Sequence, residues 1–157
     1  MDNNFLELGN NPESKKQKPL NILVVEDYEG IADLVKDMLE DKGHKATVFT
    51  SKEEALEELR RTKKEDLYDW VITNRGFAER LKNKMDGITF AEKIREEKLG
   101  NPYITMLSRN AEVYSQEDIE KMGIQYAIGK PFKKEQLLGL VSVARQFRTQ
   151  SENPRTA

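Results

Sequence analysis

Five short apolar blocks, each followed by a stretch of helical spacing, limit what this chain can become. Leu20 to Val25 is apolar at every position but Asn21, as expected of a strand covered on both faces. Ile31, Leu34, Val35, Met38 and Leu39 then recur at helical spacing, and Gly43 is placed to end that helix. Ala46 to Phe49 reads as a second strand, and Ser51 with Glu54 has the form of a capping box before a helix carrying Ala55, Leu56 and Leu59. The alternation continues with strands over 69–73, 103–107 and 125–128. Between and after them come helices bearing Ile88, Phe90, Ala91 and Ile94, a weaker one over 112–121, and a last one lined by Leu137, Leu138, Val141, Val143 and Ala144. Parallel neighbours need crossovers and helices are the usual ones, so the pattern predicts an α/β fold, a doubly wound parallel five-stranded sheet of (βα)5 type.

At 157 residues the chain suffices for one such domain. Lys plus Arg number 26 and Asp plus Glu 28, a net charge of −2, which argues against nucleic-acid or membrane-surface binding through bulk charge. The absence of cysteine excludes disulfides, zinc ribbons and a thiol nucleophile. The purest apolar run, Ile22 to Val25, falls far short of the roughly 18 residues of a membrane-spanning helix. Residues 1–18 are polar and Asn-rich with a basic run at Lys15, Lys16 and Lys18, and are expected to form a mobile arm and not a secretory signal. The domain is expected over 19–148 and a fraying tail over 149–157, with the cytoplasm as the default location.

In open parallel sheets ligand chemistry sits beyond the C-terminal strand ends. That rule singles out Glu26 and Asp27 after the first strand, Asn74 after the third, Ser108 after the fourth and Lys130, followed by Pro131, after the fifth. Two adjacent carboxylates repel, and a hard cation such as Mg²⁺ relieves that repulsion through oxygen ligation. A carboxylate pair, a hydroxyl and a lysine on one edge would make a site for a phosphoryl group and its metal. Taken singly, each has an ordinary explanation: a solvated turn for Glu26 and Asp27, a surface cap for Ser108, a solvated charge for Lys130.

Over about residues 20–146 the sequence resembles a response-regulator receiver domain, the phosphoacceptor module of two-component signalling. Ile22 to Asp27 is similar to that family's first strand and acidic pair, Met85-Asp86-Gly87 to the motif opening its third helix, Met106-Leu107-Ser108 to the strand bearing its hydroxyl, and Gly129-Lys130-Pro131-Phe132 to its lysine-proline turn. The resemblance implies a flavodoxin-like receiver fold and a role in signal relay, not turnover of a metabolite.

At the family's phosphate-accepting aspartate the resemblance places Asn74, and a neutral amide oxygen is a poor nucleophile. Asn74 is therefore expected to be non-functional as a phosphoacceptor, with Ser108 and Lys130 as remnants of the phosphate site. Glu26 and Asp27 are left to bind Mg²⁺ weakly if at all. Asp69 lies roughly 16 Å from that edge at about 3.3 Å per strand residue and is no substitute; Asp86 reads as an N-cap. The loop over 75–86 is longer than the resemblance leads one to expect, and Arg75, Arg80, Lys82 and Lys84 against Glu79 make it basic. Arg75 or Arg80 is a candidate to fold back onto Glu26 and Asp27; the alternative, and the favoured one, is a solvated excursion with a helical turn at Ala78 to Leu81. Tyr126 lies one residue before the family's aromatic switch position, which is Ala127 here, and so points to the opposite face. His44 is expected in an exposed turn, Trp70 in packing, and 53–66 on the wet face of a helix.

The expected function is that of a single-domain pseudo-receiver, not an enzyme, with no output domain after residue 148. It would bind a protein partner through the face of the fourth helix, fifth strand and fifth helix: a histidine kinase, another regulator or a second copy of itself. The alternatives are a receiver phosphorylated on another side chain or after deamidation of Asn74, and a small flavodoxin-like ligand binder.

Overall fold

A computed structural model describes residues 17–76 and 85–152. Strands β1 (Asn21–Val25), β2 (Lys45–Phe49), β3 (Trp70–Asn74), β4 (Tyr103–Ser108) and β5 (Tyr126–Gly129) pair in parallel in the order β2-β1-β3-β4-β5. Helices α1 (Glu29–Asp41), α2 (Lys52–Arg61), α3 (Gly87–Glu96), α4 (Gln116–Lys121), α5 (Lys134–Leu138) and α6 (Val141–Glu152) cover the sheet. This order is the flavodoxin-like one, with its topological switch between β1 and β3.

Alternation along the strands divides the core in two. Leu23, Val25, Val71, Ile104 and Met106 pack with Leu56, Leu59, Phe90 and Ile94 from α2 and α3 and with Ile119 from α4. Ile22, Val24, Trp70, Ile72 and Leu107 face the other way, against Val35 and Leu39 of α1, Leu137 of α5 and Ala144 of α6. Trp70 is fully buried and donates its indole N–H to Thr105 Oγ1 at 3.0 Å, so it serves packing as expected.

Several local expectations need correction. Leu34 is 50% exposed, because Ala32, Val35 and Leu39 already fill the face of α1 that meets the sheet. The weak helix over 112–121 is a 3-10 turn at Ala111–Val113 followed by α4, whose N-terminus Ser115 and Asp118 close with a reciprocal capping box. The last helix is two, α5 and α6, and α6 runs past residue 148; Val143 on it is exposed. Asp69, by contrast, stands where it was expected, at the far edge from the strand C-termini, accepting from the Asn21 N–H at 2.7 Å and lying 3.5 Å from Arg148.

His44 is half-buried, and its Nδ1 accepts the Leu20 N–H at 3.0 Å. It thereby fastens the start of β1, which its position in a polar turn did not suggest. Only a ring without a proton on Nδ1 makes this bond, and burial, then the charge of Arg145, holds its pKa below the ordinary histidine value. The folded pKa is depressed, so the stabilisation is present above the unfolded value of 6.5 and lost as pH falls through the folded one. His44→Ala is expected to cost about 1 kcal/mol at neutral pH and to flatten the fall in stability between about pH 6.5 and 5. Urea titrations across that range check this; an unaltered slope in the variant would reject it.

Candidate functional site

The strand ends bring together the residues expected there and one that was not. β1 runs out into Glu26 and Asp27, the first buried (1% exposed) and the second exposed. Asn74 is the last residue of β3 and Ser108 the last of β4, both buried; Lys130 follows β5 and precedes a cis Pro131. Backbone pairing holds the edge level: Arg75 N–H donates to the Leu107 carbonyl at 2.9 Å and Lys130 N–H to the Ser108 carbonyl at 2.8 Å. A cavity of about 540 Å³ opens here, with Asn74, Ser108 and Lys130 on its polar side and Tyr28, Ile31 and Phe132 on its apolar side.

Lys130 Nζ donates to Glu26 Oε1 at 2.6 Å, while Glu26 Oε2 is buried without a hydrogen-bond partner. Burial raises the Glu26 pKa above the usual carboxylate value; Lys130 opposes that shift and neighbouring Asp27 adds to it. Burial pushes Asp27 the same way, but the hydrogen bond that a protonated Glu26 carboxyl offers it, its own backbone N–H, the charge of Lys52 and the Asn74 amide outweigh this and hold it low. Ser108 Oγ accepts the Asn110 N–H at 3.2 Å and so braces the β4 exit.

Lys52 is the residue the sequence did not flag. It opens α2 one position after the Ser51 N-cap, whose Oγ accepts the Glu54 N–H at 3.2 Å. Instead of leaving for solvent it is 6% exposed, and its ammonium donates to Asn74 Oδ1 at 2.7 Å. Asn74 Nδ2 donates in turn to Asp27 Oδ1. Lysine can only donate and a carboxylate only accept, so these two neighbours fix which way the Asn74 amide faces. Desolvation lowers the Lys52 pKa, and Asp27, Glu26, Asp86 and Glu53 counter the shift. The next residue, Glu53, accepts the Met85 N–H at 2.7 Å. The start of α2 therefore grips both the Asn74 end and the Met85 end of the long loop.

Arg75 does not turn back to Glu26 and Asp27. Its Nε donates to the Tyr114 hydroxyl, Nη1 donates to the Gly76 carbonyl at 2.8 Å, and Asp86 lies 4.0 Å away. Arg80, and a helical turn expected near Ala78 to Leu81, fall outside the described residues. Asp86 caps α3 as expected, accepting the Thr89 N–H at 2.8 Å. Ala127 packs toward the α2–α4 side of the sheet, and Tyr126, 44% exposed, lies outside both core clusters.

Among the described residues, no three or more Asp, Glu, His or Cys side chains gather as a metal-binding group. Mg²⁺ takes near-octahedral oxygen ligation with several waters. Here Glu26 Oε1 is engaged by Lys130 and Asn74 Oδ1 by Lys52, so a divalent ion would have to compete with both ammonium groups for those oxygens.

The arrangement as a whole matches a known one: a family model described as the response regulator receiver domain covers residues 22–142. The chain belongs to the response regulator receiver domain family. This receiver domain is 27% identical over 122 residues to the transcriptional regulatory protein DltR of Streptococcus agalactiae, an alignment covering 78% of this chain and 50% of DltR. It thus spans about half the length of the curated relatives it matches. In fold it is similar to the chemotaxis response regulator CheY4 of Vibrio cholerae, with a TM-score of 0.67 and 22% identity over 81% of this chain and 99% of that one. It is similar also to NtrX of Brucella abortus, with a TM-score of 0.71 and 22% identity over 86% of this chain and 29% of that one. The receiver domain is a module of two-component signalling, and no described helix is long and apolar enough to cross a membrane.

Proposed function

We propose that this receiver domain works as a phosphorylation-independent binding module, docking a protein of a two-component system without accepting a phosphoryl group itself. The observation that carries the reading is the engagement of Asn74. Its residue type supplies no carboxylate to form an acyl phosphate, and both ends of its amide are already bonded, to Lys52 and to Asp27. Asp69 offers no replacement, being tied down at the opposite edge of the sheet. Docking is assigned to the α4–β5–α6 face, where Val113, Tyr126 and Val143 are exposed and β5 is an edge strand. The partner is a histidine kinase, another regulator or a second copy of the chain.

Intact mass after incubation with acetyl phosphate and Mg²⁺ tests the chemical half of this reading, with an aspartate-bearing receiver treated in parallel. The native chain is expected to stay unmodified while the comparator gains roughly 80 Da, one phosphoryl group. A stoichiometric, hydroxylamine-sensitive adduct on the native chain would overturn it. Sedimentation of the native chain and of Tyr126→Arg, alone and with a purified kinase, tests the docking half. An association that Tyr126→Arg weakens supports the assigned face; an association that it leaves untouched moves the interface elsewhere.

A further inference from the structure

The cluster at the strand ends contains more positive charge than the family's motifs account for, and the excess sits in an unfavourable place. Lys52 lies in the first turn of α2, where the helix dipole and unpaired N–H groups present positive potential and disfavour a cation. It is also buried, and a buried ammonium is costly unless opposite charge and hydrogen bonds compensate it. A solvent-facing rotamer would escape both penalties. The side chain instead reaches inward to Asn74 Oδ1 at 2.7 Å, within the field of Asp27 and Glu26. Glu26 is thus paired directly with Lys130, while Lys52 acts on Asp27 through the neutral Asn74 amide that bridges them. Asp86 and Glu53 also counter the Lys52 charge, and a divalent cation entering beside Asp27 and Asn74 would stand against the ammonium of Lys52 in a partly dry site.

We propose that Lys52 is the resident cation of this edge, an internal ammonium that occupies the oxygen-lined space beside Asp27 and Asn74 and excludes divalent metal. Removing its charge, and not altering Asn74, is the step that opens the site to a metal. The inference concerns charge balance and is independent of whether the α4–β5–α6 face docks a partner, since metal binding is measured without one.

The test is a Mn²⁺ titration of the full chain followed by paramagnetic broadening of the amide signals of Asp27, Asn74 and Arg75. It is run on the native protein, Lys52→Arg, Lys52→Met and Lys52→Gln. Lys52→Gln removes the charge and keeps a neutral N–H donor on a side chain one bond shorter, so that with Lys52→Met it compares loss of charge with and without a polar donor. The native chain and Lys52→Arg are expected to show no local, saturable broadening. Lys52→Met and Lys52→Gln are expected to gain it, with Mn²⁺ affinity raised about tenfold, because a positive charge hydrogen-bonded to Asn74 Oδ1 is removed from the oxygens the ion would use. Saturable local broadening of the native chain with the affinity of Lys52→Gln would overturn the proposal, and needs no variant but that one. So would a folded Lys52→Gln, judged by its amide spectrum, that binds no better than native. Should Lys52→Met fail to fold, Lys52→Gln decides the matter with the native titration.

Discussion

Replacing Lys130 by methionine is expected to lower stability by about 3–5 kcal/mol at neutral pH, the range seen when one partner of a buried ion pair is removed. Glu26 is 1% exposed, its Oε1 has Lys130 at 2.6 Å, and its Oε2 has no hydrogen-bond partner. Methionine keeps most of the volume and none of the charge, so what remains is a carboxylate in a dry setting next to Asp27. The remedy open to the protein is protonation. Glu26→Gln alone, leaving Lys130 without its counter-charge at a side chain 17% exposed, should cost less, because a partly wet ammonium finds water more readily than a sealed carboxylate. The double variant should be more stable than the sum of the two losses requires, with a coupling well above the roughly 0.5 kcal/mol that separates independent sites from interacting ones. Urea unfolding of the four proteins measures it. Additive losses would mean that the contact contributes nothing specific.

The same pair gives the fold a pH dependence whose sign follows from the direction of the shift. A carboxyl whose folded pKa is raised binds its proton more tightly in the native state than in the unfolded chain. Glu26 therefore favours folding most at low pH, and that contribution declines as pH rises from 4.5 through the higher folded value. Asp27, held low, works in the opposite sense: its stabilisation is present above 3.8 and lost as pH falls through its folded value. Removing Lys130 takes away the cation that keeps Glu26 from shifting further. The penalty of Lys130→Met should thus be smaller at about pH 5 than at pH 7. Equal penalties at both would show that Glu26 keeps its charge without the lysine.

What the sequence reveals and what it hides divide along a physical line. The strands are legible because both faces of a parallel sheet are covered, so each reads as an apolar block, and each block ends where a ligand edge must be. Glu26, Asp27, Asn74, Ser108 and Lys130 are visible for that reason alone. Lys52 is not, because it lies in the run Ser51-Lys52-Glu53-Glu54, whose composition is that of a wet helix start. Whether a long flexible side chain turns in or out depends on what waits across space, here an amide on β3 and a carboxylate after β1. The one local hint was a lysine in a helical first turn, where acids are preferred and cations are not. His44 shows the same limit, since its partner is the Leu20 N–H, distant in sequence. Arg75 was one candidate, with Arg80, to follow its charge toward Glu26 and Asp27; it follows its neighbours Tyr114, Gly76 and Asp86. Charge arithmetic located the residues that must be neutralised but not the ones that do it.

Gly87→Ala is expected to cost about 3 kcal/mol, at the upper end of ordinary overpacking, and to disturb the Asn74 network as it does so. A Cβ on Gly87 would stand 2.3 Å from the Asn74 carbonyl oxygen and 3.1 Å from Arg75 Cα. Both are backbone atoms, so no flexible side chain is there to swing aside. The demand is for space and not for an unusual backbone conformation: Gly87 N–H donates to the Arg75 carbonyl at 2.7 Å, and that bond draws the first turn of α3 onto the end of β3. Relief requires α3 to lift or the Asn74–Arg75 peptide to rotate, and either shift moves the Asn74 amide relative to Lys52 and Asp27. Gly30→Ala in α1 is the control, since nothing lies within 4 Å of its Cβ. There alanine should be neutral or favourable by up to about 1 kcal/mol through helix propensity. The readouts are the unfolding midpoint and the side-chain NH₂ resonances of Asn74, which report its donation to Asp27. If Gly87→Ala behaved like Gly30→Ala in both, the tight seat of α3 on the β3 terminus would not be what positions Asn74 between its two charged neighbours.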